Sequence, residues 1–391
     1  MAQEIDIKDL KRKRKLKKRK KFARRLIALL IIVLIGAVIY YTKDRWLPFF
    51  DGIATRYLPT EANNGELAVG NFPIKISGGA SYQVGTLENS FAVVDDTHVF
   101  IYSSDGKNIV NNQHDYANPI LKTNNKKALI YDLGGLEFRI ESKYKTEYEK
   151  QTDNTIILAR LSSNDNVAVV TKSDKFVSVM RIYDDTGNKF FEWDCIDRII
   201  DVTFTQAGDG CIVTTIDAQG GQLVSKLHRF NLDNKKEIWS SPNIDTMVIS
   251  TQIRDDGTIV AFGDTKCAYY NRNGEYISSY IYKAKLIDYD CSGTMTTLLF
   301  ADEERRKSSL VMINDIKASI KEINVNEEAK HIIVDGDNAF MMTESKINEY
   351  TISGTQTSTV SIGEEYDDFH KLGNYIFLLG HDDINRIDFN G

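Results

Sequence analysis

Beyond residue 66 the apolar positions fall into short runs separated by turns rich in Gly, Asp and Asn, and no helical period persists. One run recurs eight times. It reads SFAVV around Phe91, KALIYD around Ile130, VAVVT around Val169, CIVTTI around Val213, TIVAFG around Val260, TTLLFA around Leu298, AFMMT around Met341 and YIFLLG around Phe377. Successive copies lie 36 to 47 residues apart, the length of one four-stranded propeller blade. The runs alternate little between apolar and polar, which predicts strands covered on both faces.

A second feature follows each run at a similar distance, an aromatic-bearing strand and a tight polar turn. Examples are VFIYSSDGK from Val99, MRIYDDTGN from Met180, LHRFNLDNK from Leu227, AYYNRNGE from Ala268 and NEYTISGT from Asn348. Gly or Asn in these turns supplies the positive φ that short hairpins require. Further hairpin signals, QIRDDGT at Gln252 and QAGDG at Gln206, precede the apolar run. Two hairpins per unit give four strands. The last unit holds only three, and the first strand-like segment, 66–77, has no hairpin partner of its own. Pairing 66–77 with the C-terminal blade would close the ring and hide a sheet edge. The expected fold class is therefore all-β, a β-propeller of four-stranded blades over 66–391. Eight blades are favoured. Seven follow if the stretch 117–153 is irregular, and an open β-solenoid comes third.

Before the repeats, residues Leu26 to Tyr41 carry no charge, and Phe22 to Tyr41 is long enough to cross a roughly 30 Å hydrocarbon core as a helix. This predicts a basic cytoplasmic tail at 1–21, a single transmembrane α-helix at 22–42 and a juxtamembrane linker at 43–65. Lys20, Lys21, Arg24 and Arg25 would snorkel to headgroups at one interface, with Tyr40, Tyr41 and Trp46 anchoring the other. Thirteen Lys and Arg precede Leu26, whereas only Lys43 and Arg45, flanking Asp44, closely follow the span. The positive side stays inside, so the expected localisation is the cell membrane, single-pass, with the C-terminal domain extracytoplasmic. A cleaved signal peptide would need small residues after the apolar core, and YYTKDRWLPFF offers bulky and charged ones.

The basic run KRKRKLKKRKK also has the composition of a nucleic-acid patch, but its place beside the span accounts for it. Beyond the tail the chain has 36 basic and 52 acidic residues, an acidic surface repelled by nucleic acid. No nucleic-acid partner is expected. Cys195, Cys211, Cys267 and Cys291 lie in apolar or hairpin contexts without metal spacing. They read as unpaired small hydrophobes, although an oxidising compartment permits bridges.

The repeats resemble tryptophan–aspartate and quinoprotein-type propellers, with Trp193–Asp194 as the one copy of the dipeptide. The layout of basic tail, single span and acidic propeller resembles an uncharacterised bacterial, clostridial-type family of membrane-anchored propellers. That resemblance implies a bacterial surface protein and transfers no active-site residue.

Catalytic signatures are missing. There is no G-x-S-x-G, no G-x-x-x-x-G-K and no H-E-x-x-H. The histidines, His98, His114, His228, His331, His370 and His381, are scattered. Asp288, Asp290 and Ser292, followed by Gly293, have the alternating oxygen ligands of a calcium loop, but Leu299 stands where the bidentate Glu belongs. The stretch reads first as a hairpin turn, so no metal and no cofactor is assigned. His381-Asp382-Asp383 reads as the turn before the final strand. The 19 Tyr and 18 Phe suit packing of sheet on sheet.

The leading expectation is a non-catalytic binding or scaffold module for protein or envelope partners. A propeller enzyme acting on glycans, or a quinoprotein-like oxidoreductase, is the alternative, and a surface sensor comes third. An axis plugged by apolar side chains would remove the enzyme. Protease added to intact cells is expected to digest the part beyond residue 43 and spare the tail. Survival of the large C-terminal part while accessible controls are cut would reverse the sidedness.

Overall fold

The computed structural model describes residues 65–76, 82–302 and 304–389. Among them all regular structure is strand, arranged in eight antiparallel sheets of four. Seven sheets are built from consecutive strands, over 83–113, 119–151, 156–195, 198–240, 248–281, 285–325 and 329–361. They are blades 1 to 7 below. Blade 8 takes Tyr366–Leu372, Tyr375–Gly380 and Asp383–Asp388 from the C-terminal end and Ile74–Lys75 from the other. The stretch 117–153 forms a complete blade, so the ring has eight blades rather than seven. First strands meet first strands of neighbouring blades, blade 1 against blade 8 included, and these strands therefore stand innermost around the axis.

Each recurrent apolar run is the second strand of its blade. In blades 1, 3 and 5 every residue of that strand is buried, because alternate side chains enter the interfaces with the two neighbouring blades. Ala92 and Val94 pack with Leu121, Ala128 and Ile130 of blade 2. Phe91 and Val93 pack with Phe377 and Leu379 of blade 8. Each fully buried large apolar side chain contributes roughly 1.5–3 kcal/mol. Aromatics lock the same interfaces. Phe91 lies 4.3 Å from Phe377, Phe262 lies 4.4 Å from Tyr289, and Trp193 lies 4.7 Å from Phe230. Trp193 of the Trp–Asp dipeptide is thus a packing residue on the fourth strand of blade 3. All four cysteines are unpaired. Burial raises their thiols, to about 11 for Cys195 and about 12 for Cys211, Cys267 and Cys291.

The closing segment is not the continuous strand its pattern suggests. Leu67 bridges to Ile387 and the Ala68 amide donates to the Arg386 carbonyl. The chain then steps away through Gly70, whose φ of +95° suits glycine. It returns at Ile74–Lys75, opposite Ile384 and Asp383. Ala68, Phe72, Ile74 and Ile76 fill the apolar space between blades 8 and 1. Arg386, buried within this closure, pairs with Asp388 at 3.1 Å, donates to the Ser104 carbonyl at 2.8 Å and lies 4.3 Å from the Tyr375 ring centre.

The expected span 22–42, with Lys20, Lys21, Arg24, Arg25, Tyr40, Tyr41 and Trp46, falls outside the described residues. Among the described residues no helix is long and apolar enough to cross a membrane.

Closure by one short strand makes a direct prediction. Ile74→Asp, which puts a charge into the interface between blades 8 and 1, is expected to lower stability by about 3 kcal/mol. The exposed Leu67→Asp should change it by about 0.5 kcal/mol or less. Denaturant midpoints compare the two, and equal effects would refute a closing role for Ile74.

Candidate functional site

The axis is lined by the innermost strands, Gln83–Leu87, Pro119–Thr123, Ile156–Leu161, Arg198–Phe204, Val248–Ile253, Lys285–Ser292, Ala329–Asp335 and Tyr366–Leu372. Their pairing register with the second strands defines two rings of equivalent positions. The first ring is Gln83, Ile120, Leu158, Asp201, Ser250, Asp288, His331 and Asp368. The second, two residues on, is Gly85, Lys122, Arg160, Thr203, Gln252, Asp290, Ile333 and His370. Where these side chains form bonds between blades, they reach toward the next blade in sequence.

An innermost strand pairs on one edge only, and its other edge leaves backbone groups without a ladder partner. Ring residues satisfy several of them. Gln83 Oε1 accepts from the Leu121 amide at 3.0 Å while its Nε2 donates to the Pro119 carbonyl at 2.7 Å. Asp201 Oδ2 accepts from the Thr251 amide at 2.8 Å. Asp288 Oδ2 accepts from the Ile332 amide at 2.8 Å, and Asp290 Oδ2 from the Val334 amide at 2.7 Å. Leu121, Thr251 and Ile332 occupy equivalent places in blades 2, 5 and 7, so one clamp is used three times.

These bonds correct the reading of Asp288, Asp290 and Ser292 as a turn. All three belong to a regular strand, and the hairpin turn lies beyond them at Gly293–Thr294. The alternation that imitated a calcium loop is the two-residue period of the strand. Both carboxylates are committed to backbone amides of blade 7. Among the described residues no group of three or more His, Cys, Asp or Glu is placed to hold a metal ion. His381 and Asp382 do form the bend before the final strand.

Of the six histidines only His331 and His370 lie on innermost strands. His331 Nδ1 is 2.6 Å from Asp288 Oδ2 and its Nε2 is 3.5 Å from Asp368 Oδ1, which links blades 6, 7 and 8. Burial alone would lower its pKa. The hydrogen bond that its ring donates to Asp288 and the charges of Asp368, Asp288 and Asp290 outweigh that and hold it above the ordinary value. His370 is pushed below its ordinary value by burial, with the His331 charge adding to the effect.

The opposite sector is different. Ile120 and Leu158 replace the polar clamp in blades 2 and 3, and a cavity of about 410 Å³ opens between the innermost strands of blades 2 to 5. Lys122 and Arg160 line it with Asp201, Thr203, Ser250 and Gln252. Arg160 donates from Nε (3.1 Å) and Nη2 (2.7 Å) to Asp201 Oδ1 and from Nη1 to the Ala159 carbonyl. Among the described residues Lys122 Nζ has no hydrogen bond or ion pair, and burial, helped by the Arg160 charge, lowers its pKa. Gln252 Oε1 is buried without a partner among the described residues. The axis is therefore not plugged by apolar side chains.

A family model matches residues 70–389, described as a family of unknown function, DUF5711. The chain belongs to the DUF5711 family. No curated protein matches it in sequence. The DUF5711 fold is similar to several solved structures. The computationally designed Ika8 protein is 8% identical, with a TM-score of 0.61 over 81% of this chain and 98% of that one. BamB from Moraxella catarrhalis is 11% identical, with a TM-score of 0.56 over 81% and 96%. Chaetomium thermophilum Sqt1, solved bound to the N-terminus of the ribosomal protein L10, is 9% identical, with a TM-score of 0.60 over 81% and 98%. At these identities the likeness shows the fold alone.

Both rings of this DUF5711 chain escaped the sequence reading. A usable signal was present, a residue pair at i and i+2 whose second member lies seven to nine residues before its partner in the apolar run.

The His331 cluster predicts a pH dependence. A folded-state pKa above the unfolded value gives stability that is full below about 6.5. That stability is lost as pH rises through the raised value. The gap in melting temperature between the wild type and His331→Gln should therefore be widest near pH 6 and shrink toward pH 8.5. A gap independent of pH would refute the role given to the Asp288 contact.

Proposed function

We propose that this DUF5711 protein is a non-catalytic binding module, anchored by one span at the cell membrane, that holds a protein partner on one face of an extracytoplasmic ring. The observation carrying this is where apolar side chains are exposed. In an up-and-down blade, the turns between strands 2 and 3 and the links from blade to blade emerge on the same face. Val177, Ile196, Leu223, Ile249, Ile281 and Ile287 all lie on that face, in blades 3 to 6 and their links, and all are exposed. Ile196 is 78% exposed and Ile281 70%. Apolar side chains exposed on one face in this way favour an interaction surface.

Packing does not require Ile249 and Ile287 to be apolar. In six innermost strands a β-bulge inserts one residue, namely Ile157, Ile200, Ile249, Ile287, Lys330 and Asp367 in blades 3 to 8. Lys330 and Asp367 fit the inserted position as an ion pair at 2.9 Å. The fold therefore accepts charge where Ile249 and Ile287 stand exposed, and desolvation by a partner gives the isoleucines their purpose. The complex of Sqt1 with the N-terminus of ribosomal protein L10 supports the reading by analogy, as an instance of a similar fold holding a protein segment. The basic tail and apolar span support anchoring and sidedness.

The test is crosslinking in intact cells followed by affinity capture of the full chain from detergent extract. A reproducible protein partner is expected, and Ile196→Asp/Ile249→Asp/Ile287→Asp should reduce its recovery at least about tenfold with an unchanged melting temperature. Absence of a reproducible partner, or equal recovery by the variant, would overturn the proposal.

A further inference from the structure

The cavity between blades 2 and 5 has a donor and acceptor balance that specifies a ligand. Three charged groups line it, Lys122, Arg160 and Asp201. Arg160 and Asp201 cancel in a bidentate contact, with the second Asp201 oxygen held by the Thr251 amide and the Ser250 hydroxyl. That leaves one uncommitted positive charge, the Lys122 ammonium. The hydroxyls around it already donate, Thr203 to the Thr251 carbonyl, Ser250 to Asp201 and Ser163 to the Gln206 carbonyl. Each then offers only lone pairs to whatever enters. Gln252 Oε1, buried and unpartnered, is a further acceptor.

One cation among several acceptors calls for one anionic group on a molecule rich in hydroxyl donors. A dianion such as a phosphomonoester would exceed the single free charge, and an uncharged sugar would leave the ammonium unpaired. The volume, about 410 Å³, falls in the range of small-ligand sites. We infer that this cavity is a binding site for a polyhydroxylated monocarboxylate of monosaccharide size, a sugar acid, with Lys122 Nζ on the carboxylate and Gln252 Oε1, Thr203 and Ser250 accepting from hydroxyls. The site is distinct from the exposed apolar face and stands independently of it.

The test is calorimetric titration of the full chain in detergent with D-glucuronate and D-gluconate, using D-glucose and acetate as controls. At least one sugar acid is expected to bind saturably, and more tightly than both controls. Lys122→Met should weaken it about tenfold or more, the loss expected for a charge-assisted hydrogen bond, and Gln252→Leu severalfold. Both variants should keep the wild-type melting temperature, since neither side chain holds a partner in the ring. Lys122→Gln, closer in shape and polarity, gives the same reading if the Met variant fails to fold. No saturable binding of either acid, equal affinity in the Lys122 variants, or glucose or acetate binding as tightly as the sugar acids would each overturn the assignment. Partner capture on the apolar face is unaffected by these outcomes, so the two proposals fail separately.

Discussion

Every blade of this ring must dispose of an unpaired inner edge. An antiparallel sheet of four strands satisfies its own backbone except along its two borders. The outer border meets solvent. The inner border meets seven others around a narrow axis, where an orphaned amide costs about 1–3 kcal/mol. The chain meets this constraint with side chains that reach forward to the next blade, from Gln83, Asp201, Asp288 and Asp290. These bonds tie neighbours as well as satisfying them, so the same carboxylates that quiet the axis hold the blades in sequence.

A second set of ties runs below. In blades 2, 3 and 5 the turn between the first two strands grips its neighbour, through Asn124 Nδ2 to the Ser162 carbonyl at 2.7 Å, Ser163 Oγ to the Gln206 carbonyl at 2.6 Å and the Asp255 amide to the Gly293 carbonyl at 2.8 Å. Together with the apolar interfaces they make a frame whose rigidity does not depend on any one axial residue. Individual ring positions are then free to diverge, and they have done so.

Much of this frame was legible before any coordinates. The second strands declared themselves because both their faces are buried, which leaves an apolar run with no alternation. The hairpins declared themselves through glycines such as Gly106, Gly187 and Gly354, all with positive φ. The rings did not, for two reasons. An innermost strand faces two blades at once, so Asp288-Tyr289-Asp290 mixes clamp residues with a packing residue and looks like neither core nor turn. The bulges then shift parity in six blades and not in blades 1 and 2, so Gln83 and Asp288 sit at unequal offsets from the strand start although they do the same work. Reading Asp288, Asp290 and Ser292 as a turn failed on this point, since a strand and a cation loop both place oxygens at every second residue.

The divergence around the axis explains why one sector is open and the other filled. From blade 6 to blade 8 the first ring is Asp288, His331 and Asp368, a run of alternating acceptor and donor that spans the interblade gaps with side chains alone. In blades 2 and 3 the same position is Ile120 and Leu158, which cannot clamp an amide. The polar burden moves two residues on, to Lys122 and Arg160, whose length carries their charges past the position a carboxylate would have filled. Arg160 uses that reach to meet Asp201. Lys122 finds no hydrogen-bond or ion-pair partner among the described residues. A ring with eight equivalent clamps would have consumed every polar atom at its axis. Because two adjacent blades carry an apolar side chain at the first-ring position, this one keeps a charge and a lone-pair lining unspent, and a binding cavity follows from an incomplete repeat.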